Sequence, residues 1–369
     1  MNRLILIGNG FDLAHGLKTS YADFIEWYWT RRIMGLRGHL SHISDDGLCS
    51  LKLKNEMNVW NVWAYNCIPP YSKIDGKAIV EEIRKDTRNF SVDFASMFYE
   101  ICLNIETKGW VDIEEIYYKH LTKQDSRNSS VKNVNKELDI IKSNLIEYLT
   151  EIQNGISDDI ISSDIKRKLL EPISNEDIAI SSMETYMKMK VTSRSLSPNK
   201  IMLLNFNYTN TADLYLPDVY RFSVNHIHGS LSNPESVIFG YGDERDDEYQ
   251  PLMKKNDNEY LRHIKSFHYL ESSNYRNMLG FIEEAPFQIC IMGHSCGISD
   301  RTLLNTLFEH PNCVSIKPYY YQKEDGTDNY FDLICSIARN ISDPRLMRDR
   351  VVRKERCQPL GKEIELNLL

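Results

Sequence analysis

The feature that most constrains this chain is a four-residue apolar run, Leu4-Ile5-Leu6-Ile7, that ends at Gly8-Asn9-Gly10. A run so short and so apolar is expected to be a strand covered on both faces, as in a parallel sheet. Such a strand needs neighbours, yet strand-like runs resume only at Ile201-Met202-Leu203-Leu204. Others follow at Val224 to Ile227, Val237 to Phe239, Phe287 to Met292 and Cys313 to Ile316. Helical stretches fit between several of them, over 211–216, 301–309 and 330–340. This alternation predicts a parallel α/β sheet built from two distant pieces, 1–30 and 200–340, with 341–369 as a C-terminal tail.

Between the two pieces, residues 31–199 read as a helical insertion without buried-strand runs. Thr19 or Ser20 is placed to cap a helix, with Asp23 completing a capping box. Val131, Val134, Leu138, Ile141, Leu145, Tyr148 and Ile152 stand three and four apart, the stripe of a long amphipathic helix that Gly155 closes. Asp112, Glu114 and Glu115 suit the start of another. The stretches 36–56, 122–130 and 154–165 read as loops, 243–285 as a polar insertion, and the basic segment Arg345 to Arg356 as a solvated face. The long stripe either buries against its own domain or pairs with another chain. The insertion is therefore the expected place for regulation, homo-oligomer contacts or a partner in a larger complex.

Charge and cysteine usage narrow the classes. Forty-four Lys+Arg against 52 Asp+Glu leave a net charge of −8, which argues against a general binder of nucleic acid. None of the eight Cys lies in a C-x-x-C pair, so no metal is expected, and free thiols indicate a reducing cytoplasmic compartment. No apolar stretch approaches the roughly 20 residues that span a bilayer, and the first is too short for a signal-peptide core. A membrane partner is not expected.

Four constellations carry the chemistry. Gly8-Asn9-Gly10-Phe11-Asp12-Leu13-Ala14-His15-Gly16 follows the first strand. It fails the dinucleotide fingerprint, whose third glycine belongs at Leu13, and it lacks a Walker lysine. It reads either as a backbone cradle for phosphate or as a tight strand-to-helix turn. Asn205-Phe206-Asn207-Tyr208-Thr209 ends the next strand, where ligand crevices of open parallel sheets lie. Asn207 either orients a hydroxyl or a water, or caps 211–216. His226-Ile227-His228-Gly229-Ser230 sets two imidazoles on one face of a strand, each either a structural histidine bonded to backbone or, as at His228, a neutral general base over a ribose hydroxyl. Gly293-His294-Ser295-Cys296-Gly297-Ile298-Ser299-Asp300 forms a strand-loop-helix turn capped at Ser299 or Asp300. It also resembles the Gly-x-Ser-x-Gly elbow of hydrolases, but His310, the sole downstream His, follows Glu309 at a helix end, poorly placed to serve Ser295.

Together these blocks resemble the AbiH family of bacterial abortive-infection proteins. The points of resemblance are Leu6-Ile7-Gly8-Asn9-Gly10-Phe11-Asp12, Thr19-Ser20-Tyr21, Trp110-Val111-Asp112-Ile113-Glu114, Phe206-Asn207-Tyr208-Thr209, Ile227-His228-Gly229-Ser230, Gly293-His294-Ser295 and Asp300. The same blocks look like a divergent sirtuin. Gly8, Gly10 and Gly16 match its glycine loop, Asn207 its Gln-Asn-Ile-Asp block, His228-Gly229 its His-Gly block, and Gly293 with Ser295 its Gly-Thr-Ser block. Asp12 stands where sirtuins have Ser, Phe206 where they have Gln, and Thr209 where they have Asp. The resemblance implies a sirtuin-like, Rossmann-type parallel sheet core with a large helical insertion. It implies NAD as substrate, held by Gly8, Asn9, Gly10, Phe11, Asp12, Gly16, Gly229, Gly293, His294, Ser295 and Asp300. Asn207 and His228 become the catalytic pair. Without two C-x-x-C pairs the deacylase zinc module is missing, so an antiphage NAD hydrolase releasing nicotinamide is implied over a protein deacylase. The other reading left open is a non-catalytic nucleotide sensor or interaction subunit of a defence complex.

Overall fold

A computed structural model describes residues 1–38, 43–53, 90–108, 112–123, 128–188, 195–216 and 221–361. Trp110, Val111 and Cys67 lie outside the described residues, as do 39–42, 54–56 and 124–127 of the expected loops. The chain divides into two compact units. One comprises Met1–Lys18, Ile152–Gln250 and Ile264–Leu369; the other comprises Thr19–Glu151 and Pro251–His263.

The first unit holds a five-stranded, all-parallel sheet among the described residues. Its strands are β1 (Asn2–Ile7), β7 (Ile201–Asn205), β8 (Phe222–His226), β9 (Phe287–Met292) and β10 (Cys313–Tyr319), in the order β10-β9-β1-β7-β8. The earliest strand is central, and the chain builds first to one side of it and then to the other, which is the Rossmann-like order. A two-stranded antiparallel ribbon, β5 (Ile173–Ser174) and β6 (Ser195–Leu196), belongs to the same unit. Side chains alternate across β1. Leu4 and Leu6 enter a core with the helices Asn274–Glu284, Arg301–Phe308 and Tyr330–Arg339, while Ile5 and Ile7 enter a second core with Phe11, Ile165, Leu169 and Tyr215. Arg3 faces that second layer and is fully buried. It donates to Leu169 O at 3.0 Å and to Gln288 Oε1 at 2.9 Å, and Gln288 donates to Ser315 Oγ at 3.1 Å. This polar rung joins residues that are already in register, so a slipped strand would strand a buried charge.

The second unit contains a three-stranded antiparallel sheet, β2 (Ile43–Asp45), β3 (Cys49–Leu53) and β4 (Phe90–Phe94), where the sequence showed no strand. Its strands are short and do not read as buried runs. The capping box forms as expected: Asp23 N–H donates to Ser20 Oγ at 3.1 Å, and Ser20 N–H donates to Asp23 at 3.2 Å. Asp112 caps the helix Ile113–Thr122, and the long helix runs from Asn128 to Asn154. Val131, Val134, Leu138, Ile141, Leu145 and Tyr148 are buried, and Tyr148 packs on Phe24 and Trp27 of the same unit.

Three further expectations are corrected. Residues 237–239 are buried but form no strand; Ile238 N–H pairs with His228 O at 2.8 Å in a single turn contact. Part of 154–165 is helical rather than loop, with the short 3-10 turn Asp158–Ile160 and the start of the helix Ser163–Leu170. The basic tail is not simply solvated: Arg350 is buried and donates to Phe308 O, and Arg356 pairs with Glu176 and Asp177.

Candidate functional site

The sheet reverses its direction of growth between β1 and β9, the position beyond whose strand ends such sheets hold ligands. Glycine lets the loops after these two strands close on each other. Ile7 bridges Gly293, Gly10 N–H donates to Gly293 O at 2.8 Å, and Gly8 N–H to Met292 O at 3.3 Å. Gly293 has φ +78°, and a Cβ there would meet Phe11 N at 2.0 Å, so no other residue fits. The N–H groups of Gly8, Gly10 and Phe11 are thus all taken within the protein, the last by Gly8 O at 2.8 Å. Asn9 and Ser295 are the exposed residues of the two loops.

Gly16 lies at the far end of the short helix Asn9–Ala14. Gly16 N–H donates to Leu13 O and Leu17 N–H to Asp12 O, a Schellman close, with φ +75° at Gly16. His15 above it joins Phe11 O and the Tyr215 hydroxyl, each at 2.6 Å, and that hydroxyl accepts Ser162 N–H at 2.7 Å.

After β7 the chain is folded by its own carboxamides. Asn205 Oδ1 accepts Asn207 N–H at 3.0 Å and Asn205 Nδ2 donates to Thr209 O at 3.1 Å. Asn207 is not the cap of 211–215; its Nδ2 reaches across to Gly8 O at 3.1 Å and ties the β7 loop to the glycine loop. Asp12 turns inward. Its Oδ2 accepts from Thr209 Oγ1 at 2.6 Å, while Oδ1 is buried without a hydrogen-bond partner. Burial pushes its carboxyl up to about 6, against the pull of the Thr209 hydroxyl.

His226 and His228 do not share a face, because the strand and its alternation stop at His226. His226 Nε2 pairs with Asp213 at 3.0 Å, and the ring touches Asn205. Gly229 N–H closes on His226 O at 3.0 Å and turns His228 inward, where it is 4% exposed. His228 Nε2 lies 3.1 Å from the Tyr269 hydroxyl and 3.2 Å from Asp300 Oδ1. Asp300 does not hydrogen-bond the helix it precedes. It faces Lys265 Nζ at 2.8 Å instead, and His294 Nε2 at 3.7 Å. Phe206 sets its ring edge-on between the two imidazoles, with centroids 5.1 Å from His228 and 4.1 Å from His294.

The electrostatics of this buried group are fixed by burial and one cation. Burial raises an isolated carboxyl, but Lys265, His228 and His294 outweigh it and hold Asp300 far below the ordinary carboxylate range. Burial, reinforced by Lys265, lowers His228, and burial pushes His294 down to about 4. Both imidazoles are therefore neutral at pH 7 beside an ionised Asp300. Cys296, with φ 54°, takes the strained position of the Gly293–Gly297 turn, and its N–H donates to His294 Nδ1 at 2.9 Å. Ser295 is exposed on the residue before it, and His310 lies against Phe287 at the opposite end of β9, so no hydrolase triad assembles.

A family model described as bacteriophage abortive infection AbiH matches residues 4–321, most of the chain. The chain belongs to the AbiH family. Membership assigns it a role in abortive-infection defence against phage. The match spans every loop just described in this AbiH protein, from Gly8 to Asp300. No curated protein and no solved structure matches it. No helix among the described residues is long and apolar enough to cross a membrane. Sequence reasoning missed Lys265 and Tyr269, which sit in the polar stretch 243–285; a Lys among apolar neighbours, Ile264 and Phe267, was the one available signal.

Proposed function

We propose that this AbiH protein acts in defence as an NAD hydrolase, with the dinucleotide in the crevice beyond the carboxyl ends of β1, β7, β8 and β9. The observation that carries the reading is His228, an imidazole kept neutral beside the switch point, the protonation state a general base requires. A water adds to C1′ of the nicotinamide ribose and the glycosidic C–N bond breaks. The bonding pair leaves on the nicotinamide nitrogen, and the proton of the water passes toward His228. Nicotinamide and ADP-ribose result. The Nδ2 end of Asn207 is engaged with Gly8 O, which assigns its carbonyl end to the ribose or the water. With the glycine N–H groups engaged internally, the diphosphate is assigned to the exposed rim at Asn9 and Ser295.

The test is nicotinamide release from NAD by the purified protein. His228→Ala and Asn207→Ala are each expected to lower the rate at least ~100-fold, the scale of a lost acid–base group. Equal release from wild type and both variants would reject the assigned roles. An NAD-induced rise in melting temperature with no release would instead identify a non-catalytic nucleotide sensor.

A further inference from the structure

The Nε2 edge of His228 is occupied by the protein itself. Nε2 faces the Tyr269 hydroxyl at 3.1 Å and Asp300 Oδ1 at 3.2 Å. A ring nitrogen that accepts from a hydroxyl carries no proton, so a relay through Tyr269 requires the neutral ring to be protonated at Nδ1, with Nε2 presenting its lone pair. The Tyr269 hydroxyl is the group able to donate to it, because Asp300 is an ionised acceptor already engaged by Lys265.

We propose that Tyr269 is a catalytic residue that meets the reacting proton, and that His228 works only through it. The inference rests on the reading of His228 as the base. The attacking water gives its proton to Tyr269 Oη as the phenolic proton moves to His228 Nε2. Tyrosine is left neutral and the ring becomes an imidazolium, which Asp300 Oδ1 stabilises. Lys265 is a positioning residue: it holds the same carboxylate oxygen at 2.8 Å in the resting state and keeps the imidazole unprotonated until the proton arrives. The charged and titratable groups around the ring are Lys265, Asp300, His294 and Tyr269.

The packing fits a path from solvent. Tyr275 is half-buried and stacks on Tyr269 with centroids 5.3 Å apart; Tyr269 in turn lies parallel to His228 at 6.1 Å, and the exposed Leu270 marks the surface beside it. Exposure thus falls from Tyr275 through Tyr269 to His228.

Tyr269→Phe deletes the hydroxyl and keeps both ring stacks. Nicotinamide release is expected to fall about as far as in His228→Ala, with melting temperature and NAD-induced thermal shift kept. Undiminished release from Tyr269→Phe would overturn the relay. A second readout does not depend on turnover: nitrogen NMR of the His228 ring in the full-length protein. Wild type is expected to be protonated at Nδ1 with Nε2 accepting, and Tyr269→Phe is expected to move the proton to Nε2, toward Asp300. A wild-type ring protonated at Nε2 would overturn the relay whether or not NAD is cleaved. If the predicted tautomer is found but wild type cleaves no NAD, the hydrolase reading fails while the Tyr269–His228 proton path stands.

Discussion

Burial pushes the Asp12 carboxyl up to about 6, and the side-chain hydrogen bonds that oppose the rise, that of Thr209 foremost, offset only part of it. The folded state therefore binds this proton more tightly than the unfolded state does. Its contribution is most favourable below about pH 4, is lost as pH rises toward 6, and stays lost above that. A rise of this size corresponds to about 3 kcal/mol. Asp12→Asn does not titrate, so its stability relative to wild type is expected to improve by up to that amount between pH 4 and pH 7. Urea unfolding at several pH values measures it, and a difference constant with pH would show that the carboxyl titrates alike in the folded and unfolded chain. At this scale sequence reading is limited by what local chemistry reveals. Ser20 and Asp23 were legible as a capping box because both partners lie within four residues. Asp300 was read as a cap for the same local reason, whereas its partner Lys265 stands 35 residues earlier, beyond the reach of any pattern.

The two glycine-bearing loops differ in how far they tolerate a side chain. Gly293→Ala drives a Cβ into the Phe11 backbone on top of a left-handed φ, and a cost of roughly 3 kcal/mol or more is expected. Gly16 has the same backbone sign but open space around it, so Gly16→Ala is expected to cost only about 1–2 kcal/mol. Equal losses in chemical denaturation would mean that the Gly10–Gly293 contact is not tight in solution. The strands of the core were legible because each is an apolar run ending in a small or polar turn residue. The β2–β4 sheet was not, because its strands are three to five residues long and pair across a wide gap in sequence. Residues 237–239 show the converse error: an apolar run can be buried by loop packing with no ladder to join.

Each compact unit draws on separated stretches of chain, and single side chains tie the stretches together. In the second unit Asn135 is buried, accepts the Tyr117 hydroxyl at 2.9 Å and donates to Glu259 O at 2.8 Å. Asn135→Ala is expected to speed amide hydrogen exchange across 251–263 while leaving β1 and β9 protected as in wild type. Loss of protection in β1 would mean that the two units unfold together. The central place of β1 also sets a timetable for synthesis. Its neighbours are β7 and β9, the second of which ends at Met292. At about 5–20 residues per second, a ribosome needs roughly 15–60 s after making Ile7 to finish that strand. A message cut midway through the gene therefore yields a polypeptide that holds β1 alone of the five parallel strands and neither the Gly293 turn nor Asp300.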